Sequence, residues 1–423
     1  MMAGLLLGRQ GVDVVVMEKH GDFLRDFRGD TIHPSTLELI DELGWSEEFL
    51  QIRHTRMTQV SMQTPAGLVT LADFTKLAGR FGYIAFLPQW DFLNFLSEKA
   101  RAYPSVRLMM QAEATDLLEE HGRVLGVRAR TADGPVEIRA KLVLGADGRH
   151  STLRRQAGLE VISKSPPVDV LWLRLSRKPD EKVPFFRNQG GSVLICIDRG
   201  EYWQLAYVIP HEGYDVVRTG GIEAFRSDIA RAAPELADRT AEIAVWDDVK
   251  LLGVRVDRLR RWYKPGLVFI GDAAHAMSPA GGVGINLAIQ DAVAASRILG
   301  PTFANGGPDL SDLRRVQRRR ELPTRITQLF QVRILRGLYP STPPTGGLRD
   351  GVTPDRGDRL PVPLRLVRRV PALRHVVGRF IGQGVRPEHV MPPRRHLAKP
   401  FPWSDRIRPV GVALRHRGPR EVG

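Results

Sequence analysis

The chain is poor in cysteine, in acidic residues and in long apolar runs, and each shortage excludes a class of protein. Cys196 is the single cysteine among 423 residues, so no disulfide can form within the chain and a reducing compartment, the cytoplasm, is expected. No apolar run is long enough to span a bilayer, which predicts no integral membrane association. The apolar residues 1–7 lack the basic segment and cleavage site of a signal peptide, and we interpret them as part of a helix.

The shortage of acidic residues leaves a net charge of +15, with 47 acids against 62 lysines and arginines. Such a balance can indicate nucleic-acid binding. However, the densest arginines, in residues 314–320 and 365–369, are separated by apolar residues at helical spacing, as on solvated helix faces. There is no zinc-ligand spacing and no dense interleaving of aromatic and basic side chains. We therefore predict no nucleic-acid partner and no metal site, and a surface that attracts an anionic substrate or a phosphorylated nicotinamide cofactor.

The beginning of the chain resembles the second half of a βαβ dinucleotide-binding unit. A helical stretch ends at Gly11, a strand of β-branched residues follows over Val12–Met17, and Glu18 lies at its end. In such units an acid about 20 residues beyond a glycine-rich loop binds the ribose hydroxyls. Counting back from Glu18 predicts that the first strand and its Gly-x-Gly-x-x-Gly loop lie ahead of Met1. A start codon assigned too far downstream is the favoured interpretation, and real loss of the pyrophosphate loop is the alternative.

The most informative segment runs from Gly266 to Asn286. An apolar strand leads into Gly271-Asp272, a glycine-rich loop follows, and a helical pattern extends from Ile285 to Leu299. This order exposes backbone N–H groups and the positive end of a helix above the loop. A carboxylate at the end of a buried strand can accept hydrogen bonds from a polyol. Together these features predict a flavin site.

The middle of the chain contains a second acidic turn and a strand-rich region. A buried strand over residues 141–145 leads into Asp147-Gly148-Arg149, and a helix is predicted to begin near Ser151. Residues 55–71 alternate like a hairpin. Between about 165 and 255 the pattern is antiparallel, with strands that include Ile243–Val256 and one helix over Gly221–Ala232.

Three segments taken in order resemble the single-component flavin-dependent aromatic hydroxylases, the para-hydroxybenzoate hydroxylase-like family. They are the helix-strand-acid unit ending at Glu18, the Asp147-Gly148 motif, and the Gly271-Asp272 motif. The resemblance implies an α/β fold: a Rossmann-like FAD-binding domain with an inserted antiparallel-sheet substrate domain and a helical C-terminal region. It divides the chain into FAD-binding parts at 1–54, 85–164 and 256–300, a substrate-domain hairpin at 55–84, a substrate-domain sheet at 165–255, and a basic helical region at 301–423.

The resemblance also assigns residues. Glu18 binds the adenosine ribose, Arg28 lies near the pyrophosphate and flavin, and Asp272 holds the ribityl chain. Pro279 flanks the reactive face of the flavin, and His275 is a candidate for proton transfer. The remaining cofactor contacts that it implies are Gln89, Asp147, Gly148, Gly271, Gly281, Gly282, Val283, Gly284, Ile285 and Asn286. Amide groups at the start of the helix suit the anionic pyrimidine edge of reduced flavin, and glycines let the backbone approach it.

Simpler interpretations remain open for several of these residues. Glu18 alone is usually a solvated strand end, Asp147-Gly148 alone is a common turn pair, and Arg28 could be a surface charge. His275, early in a loop before a buried helix, is more often structural than catalytic. Cys196 lies in an apolar strand and is predicted to be an inert core thiol.

The resemblance implies a monooxygenase. NADPH or NADH reduces FAD, O2 adds to form a flavin C4a-hydroperoxide, and one oxygen is transferred to an aromatic or similar small molecule. A homodimer is left open. A different FAD oxidoreductase of the superfamily, such as a halogenase or an isoprenoid reductase, is an alternative, although the Trp-x-Trp-x-Ile-Pro motif of halogenases is absent. A truncated flavin-fold remnant without catalysis and a basic nucleic-acid-binding protein also stay open.

Overall fold

The computed structural model describes residues 1–24, 31–64, 67–164, 168–189, 192–338, 362–390 and 406–409. In chain order, its α-helices are α1 (Met2–Gly8), α2 (Pro34–Glu42), α3 (Ser46–Phe49), α4 (Gln89–Arg101), α5 (Thr152–Ala157), α6 (Tyr214–Thr219), α7 (Ile222–Ala232), α8 (Gly284–Leu299), α9 (Leu310–Leu338), α10 (Val362–Arg369) and α11 (Pro371–Gly382).

The strands of the same residues run as follows: β1 (Val14–Met17), β2 (Thr31–Ile32), β3 (Thr55–Met57), β4 (Gln59–Thr64), β5 (Gly67–Asp73), β6 (Ile84–Phe86), β7 (Val106–Met109), β8 (Glu113–Glu120), β9 (Arg123–Thr131), β10 (Gly134–Arg139), β11 (Val143–Gly145), β12 (Val161–Lys164), β13 (Val168–Ser176), β14 (Phe186–Gln189), β15 (Ser192–Asp198), β16 (Tyr202–Pro210), β17 (Lys250–Leu252), β18 (Val256–Leu259), β19 (Tyr263–Lys264), β20 (Leu267–Phe269) and β21 (Ile407–Pro409).

Parallel strand pairs form the first structural unit. β1 pairs with β7, and β11 pairs with β20, both in parallel. Helices α1, α4 and α8 cover them, and a core that includes Leu5, Phe92 and Val293 is buried between these elements. In the described part of the chain, the β1·β7 pair and the β11·β20 pair belong to different sheets.

A seven-stranded sheet forms the second unit, in the order β17-β13-β16-β15-β14-β4-β5. The chain enters it twice, first with the β4–β5 hairpin and again from β13 onward. All neighbouring strands are antiparallel except β14 and β4. Leu171, Leu173 and Leu175 alternate along β13 and pack against Phe225 and Ile229 of α7, which covers one face. This mixed architecture confirms the predicted α/β fold class, while the exact domain boundaries stay predictions.

One prediction about local structure is wrong. The strand expected over Ile243–Val256 exists only as β17 and the start of β18, and residues 246–248 form a 3₁₀ turn. Ile243 and Val249 are nevertheless buried, because they pack beneath the sheet with α7.

The C-terminal region contains the helices α9, α10 and α11, as predicted. It also contributes the short strand β21, which pairs with β10. The long α9 packs on α8 and continues through Pro323.

The described residues contain neither a membrane-spanning helix nor a cluster of metal ligands. None of their helices combines the length and the apolar character needed to cross a bilayer. No group of three or more histidine, cysteine or acidic side chains among them could hold a metal ion.

Candidate flavin site

The Gly271–Asp272 turn lies directly after the fully buried strand β20. Gly271 has a φ of 58°, and a Cβ added to it would lie 3.0 Å from the Cβ of Ala288 in α8, so both conformation and space favour glycine. The side chain of Asp272 is 33% exposed and its Oδ2 lies 3.9 Å from Nη2 of Arg149. The carboxylate thus remains accessible at the end of its strand.

The Asp147-Gly148-Arg149 turn comes to the same edge of the sheet. β11 and β20 are parallel neighbours, so the turns that follow them lie side by side, and the contact between Arg149 and Asp272 joins them. The Asp147 carboxylate accepts hydrogen bonds from Ser151 Oγ at 2.5 Å and from the Leu153 N–H at 3.1 Å. It therefore fixes the turn to the start of α5, and its contact with a cofactor stays a prediction.

Gly148 needs to be glycine for its conformation. Its φ is 80°, and a Cβ at this position would meet no atom within 4 Å. Close approach of another group is therefore not the reason for glycine here.

The glycine-rich loop after Pro279 crosses in front of β2. Gly281 and Gly282 both have positive φ, 78° and 62°. A Cβ on Gly282 would lie 2.4 Å from Oγ1 of Thr31, which donates a hydrogen bond to the Gly282 carbonyl at 2.8 Å. This loop packs so closely on β2 that a side chain at Gly282 would push the two apart.

Helix α8 begins at the end of this loop. The backbone N–H groups of Gly284, Ile285 and Asn286, in its first turn, have no hydrogen-bond acceptor within the described ranges. Loop residues 281–285 are exposed or half-buried. Three unsatisfied donors at the positive end of a 16-residue helix form an electrostatic environment suited to negative charge.

Asn286 uses its side chain within the protein. Its Nδ2 donates to the carbonyls of Thr31 at 2.9 Å and Gly282 at 3.2 Å. Its Oδ1 accepts from the His33 N–H at 2.9 Å and the Thr36 hydroxyl at 2.8 Å. The buried amide therefore ties α8 to β2 and α2, and only the Asn286 N–H is left for a ligand. Sequence reasoning missed these partners, since nothing in Thr31–Thr36 indicates a residue about 250 positions away.

His275 lies beneath the turn and is 1% exposed. Its Nε2 is 2.5 Å from Oδ2 of Asp291, its ring contacts the ring of Trp262, and its Nδ1 has no partner within the described residues. Burial alone would raise the pKa of Asp291, but the bonds from His275 and Arg320 outweigh it and hold that pKa below its usual range. Proton transfer by His275 stays a prediction, and this environment favours a structural role.

The remaining predicted residues are spread around the fold. Glu18 ends β1 as expected, and its Oε1 accepts the His20 N–H at 3.0 Å. Burial lowers the pKa of the Met1 amino group, and the negative charge of Glu18 opposes that shift. Because such an effect requires proximity, the start of α1 lies near Glu18. Gln89 is the first residue of α4. Arg28 lies outside the described residues.

The loop also faces the second unit. Pro279 is half-buried, and Ala280 packs against an apolar cluster formed by strands of the seven-stranded sheet and by α9, namely Val168, Val193, Val208 and Leu335. The surface beside Pro279 is therefore apolar.

Comparison with known proteins agrees with this geometry. The model of the FAD binding domain family matches residues 1–328. A 6-methylpretetramide 4-monooxygenase from Streptomyces rimosus is 34% identical over 301 residues, which cover 70% of this chain and 71% of that enzyme. A 12-dehydrotetracycline 5-monooxygenase/anhydrotetracycline 6-monooxygenase from Streptomyces rimosus subsp. rimosus is 27% identical over 73% of this chain, and the match spans 62% of that relative's length.

Solved structures show the same fold. The OxyS anhydrotetracycline hydroxylase from Streptomyces rimosus aligns with a TM-score of 0.68 at 21% identity, covering 91% of this chain and 74% of the other. The p-nitrophenol 4-monooxygenase PnpA from Pseudomonas putida DLL-E4 aligns with a TM-score of 0.66 at 19% identity, covering 88% and 95%. The chain therefore belongs to the FAD binding domain family, and it is an FAD-dependent oxidoreductase of the aromatic monooxygenase type.

Proposed function

We propose that this protein holds FAD between the Gly271–Asp272 turn and the first turn of α8 and uses NADPH or NADH and O2 to hydroxylate an aromatic substrate. One observation supports this proposal above all. The accessible carboxylate of Asp272 lies beside the turn that contains Arg149, at the end of two parallel strands, and the first turn of α8 offers unsatisfied amide groups.

The roles of these groups follow from their chemistry. The Asp272 carboxylate accepts hydrogen bonds from the ribityl hydroxyls. The N–H groups of Gly284, Ile285 and Asn286 stabilise negative charge at the pyrimidine edge of the ring. FAD supplies the redox and oxygen chemistry when bound, and the protein supplies orientation and exclusion of water. Gly281 carries no Cβ and lets the backbone come close to the ring, while Gly282 keeps the loop packed against Thr31 of β2.

The substrate lies between the loop and the seven-stranded sheet, with Pro279 beside the reactive face of the ring. The apolar packing of Ala280 against Val168, Val193 and Val208 supports an aromatic substrate. Because relatives act on 6-methylpretetramide and anhydrotetracycline, we infer that a fused-ring aromatic compound is bound here. Proton transfer is not assigned to His275, since its buried ring bonds to Asp291.

The adenosine half of FAD lies toward Glu18, which accepts a hydrogen bond from the ribose. Its position at the end of a parallel strand, near the start of α1, supports this role.

The test is a titration of the protein with FAD, followed by absorbance assays of NADPH and NADH oxidation with a panel of phenols and fused-ring aromatics. We expect the protein to bind FAD and to oxidise the nicotinamide faster when a fitting aromatic is present. A protein that binds no FAD contradicts the proposal.

The role of Asp272 in FAD binding is tested by the variant Asp272→Ala, with Asp133→Ala as its matched control. Asp133 is an exposed aspartate in the turn between β9 and β10, and it belongs to neither acidic motif. Asp272→Ala should weaken FAD binding at least tenfold, since a hydrogen bond to a charged group contributes about 1.5–3 kcal/mol. Asp133→Ala should leave it unchanged. Equal affinities of the two variants would remove Asp272 from the site.

A further inference from the structure

A fully buried carboxylate supports the Gly271–Asp272 turn from below. Asp291 of α8 is 0% exposed. Its Oδ2 accepts the Gly271 N–H at 3.0 Å and lies 2.5 Å from His275 Nε2, while its Oδ1 accepts from Arg320 Nε at 2.9 Å. The side chain of Asp291, which belongs to α8, thus connects this helix to Gly271, the residue before Asp272, and to Arg320 of α9.

The network continues from Arg320 to the segment of residues 386–390. Arg320 is 1% exposed, and its Nη1 donates to the Arg386 carbonyl at 3.2 Å and lies 3.4 Å from Glu388 Oε1. Glu388, also buried, pairs with Arg319 at 2.5 Å and with Arg297 at 2.8 Å. Residues far apart in the chain therefore meet in one charged cluster beneath the turn.

The charges of this cluster require one another. A buried carboxylate is strongly unfavourable unless it is paired and hydrogen-bonded. The Nδ1 of His275 has no partner in the described structure, so the hydrogen bond of this ring is the one between Nε2 and Asp291. Arg320 adds a positive charge beside Asp291, and Glu388 and the Arg386 carbonyl hold it in place.

We propose that Asp291 is a positioning residue for flavin binding: with Arg320 and Glu388 it fixes the Gly271 N–H and so sets the direction of the Asp272 carboxylate. This inference rests on the proposed function, because it takes Asp272 as a ligand of the cofactor. It also makes segment 386–390 part of the support of the flavin site.

Asp291→Asn is the sharpest variant because it preserves shape and removes one acceptor. An asparagine offers one oxygen to three donors, and the charged Arg320 competes best for it. His275 can shift its proton to Nδ1 and accept from the new amide, but the Gly271 N–H then has no acceptor. Local loosening of the turn should follow without loss of the fold.

The first measurement is hydrogen–deuterium exchange of the protein without FAD, followed in peptides that cover residues 267–277. Asp291→Asn should raise deuterium uptake there and leave peptides of β13 and β16 unchanged. The second is the FAD titration, in which we expect a loss of affinity on the order of tenfold for Asp291→Asn. Glu388→Gln should produce a smaller loss in the same direction, since it acts through Arg320.

Glu181→Gln is the matched control. Glu181 is a largely buried carboxylate in the second unit, where it accepts from Trp203 Nε1 at 2.6 Å and pairs with Arg239. This variant should lower the melting temperature without changing FAD affinity or exchange at residues 267–277. A merely structural role for Asp291 would give the same pattern in Asp291→Asn, and that result overturns the inference.

The two proposals can fail separately. If the native protein takes up no FAD, the proposed function is refuted, and the exchange measurement alone decides whether Asp291 holds the turn. If the native protein binds FAD and Asp291→Asn binds it equally well, the inference about Asp291 is refuted while the proposed function stands.

Discussion

Adjacent glycines in the loop before α8 should respond differently to the same substitution. Gly281→Ala and Gly282→Ala both place a Cβ at positive φ, which costs about 1–2 kcal/mol in the left-handed region. At Gly281 the new Cβ would meet only Val283 Cγ1, at 3.7 Å. At Gly282 it would lie 2.4 Å from Thr31 Oγ1, far inside contact distance.

The difference between these variants can be worked out from the contacts. Gly282→Ala must displace Thr31 and lose its hydrogen bond to the Gly282 carbonyl, about 1 kcal/mol, and it adds overpacking of about 1–3 kcal/mol. We expect losses in the free energy of unfolding of about 1 kcal/mol for Gly281→Ala and about 3 kcal/mol for Gly282→Ala. FAD affinity should fall further for Gly282→Ala, since the loop moves away from β2.

Denaturant unfolding and FAD titration of both variants test this expectation. A third variant, Gly282→Ala combined with Thr31→Ala, removes Oγ1 and Cγ2 and should recover part of the lost stability. Equal losses for Gly281→Ala and Gly282→Ala, or no recovery in the double variant, would show that contact with Thr31 does not decide the cost.

The other predictions concern single side chains. Burial lowers the pKa of His33 from its usual 6.5 to about 4, so the folded protein keeps this ring neutral while an unfolded chain takes up a proton. Stability should therefore decrease by about 3 kcal/mol as the pH falls from 6.5 to 4, and urea unfolding of His33→Gln should lack that part of the decrease. Burial also raises the pKa of the Cys196 thiol to about 12, so a thiol reagent at neutral pH should label it only in denaturant; rapid labelling of the native protein would contradict this burial. Asp147→Ala should cost about 1 kcal/mol in thermal or denaturant unfolding because Ser151 and Leu153 lose their acceptor, and unchanged stability would refute this capping role.

Local patterns predicted the flavin segment well. The sequence predicts a helix over Ile285–Leu299, and α8 runs from Gly284 to Leu299. The apolar strand before Gly271 is β20, and the hairpin predicted over residues 55–71 is formed by β4 and β5. Its first residues form β3 instead, which pairs with β6 in another sheet. These elements are predictable because strand alternation, glycine conformation and helix periodicity depend on residues close together in the chain.

The apolar pattern predicted the wrong backbone conformation where residues are buried without belonging to a strand. Ile243 and Val249 are apolar and regularly spaced, which favours a strand, but both are buried against α7 beside a 3₁₀ turn. The apolar pattern correctly predicted burial and wrongly predicted the backbone. Short apolar runs do not distinguish these cases without the neighbouring elements.

Local sequence was enough to predict the cofactor class, because a strand, a glycine-rich turn and a helix start need only nearby residues to create an accessible carboxylate and unpaired amides. The groups that support them depend on packing between distant parts of the chain: Asn286 bonds to Thr31 and His33, and Asp291 bonds to Arg320 and, through it, to Glu388. These partners come together through packing of α8 against β2, α9 and the segment after α11. A buried polar group must find partners wherever the fold brings them, and distance along the chain carries no signal of that choice.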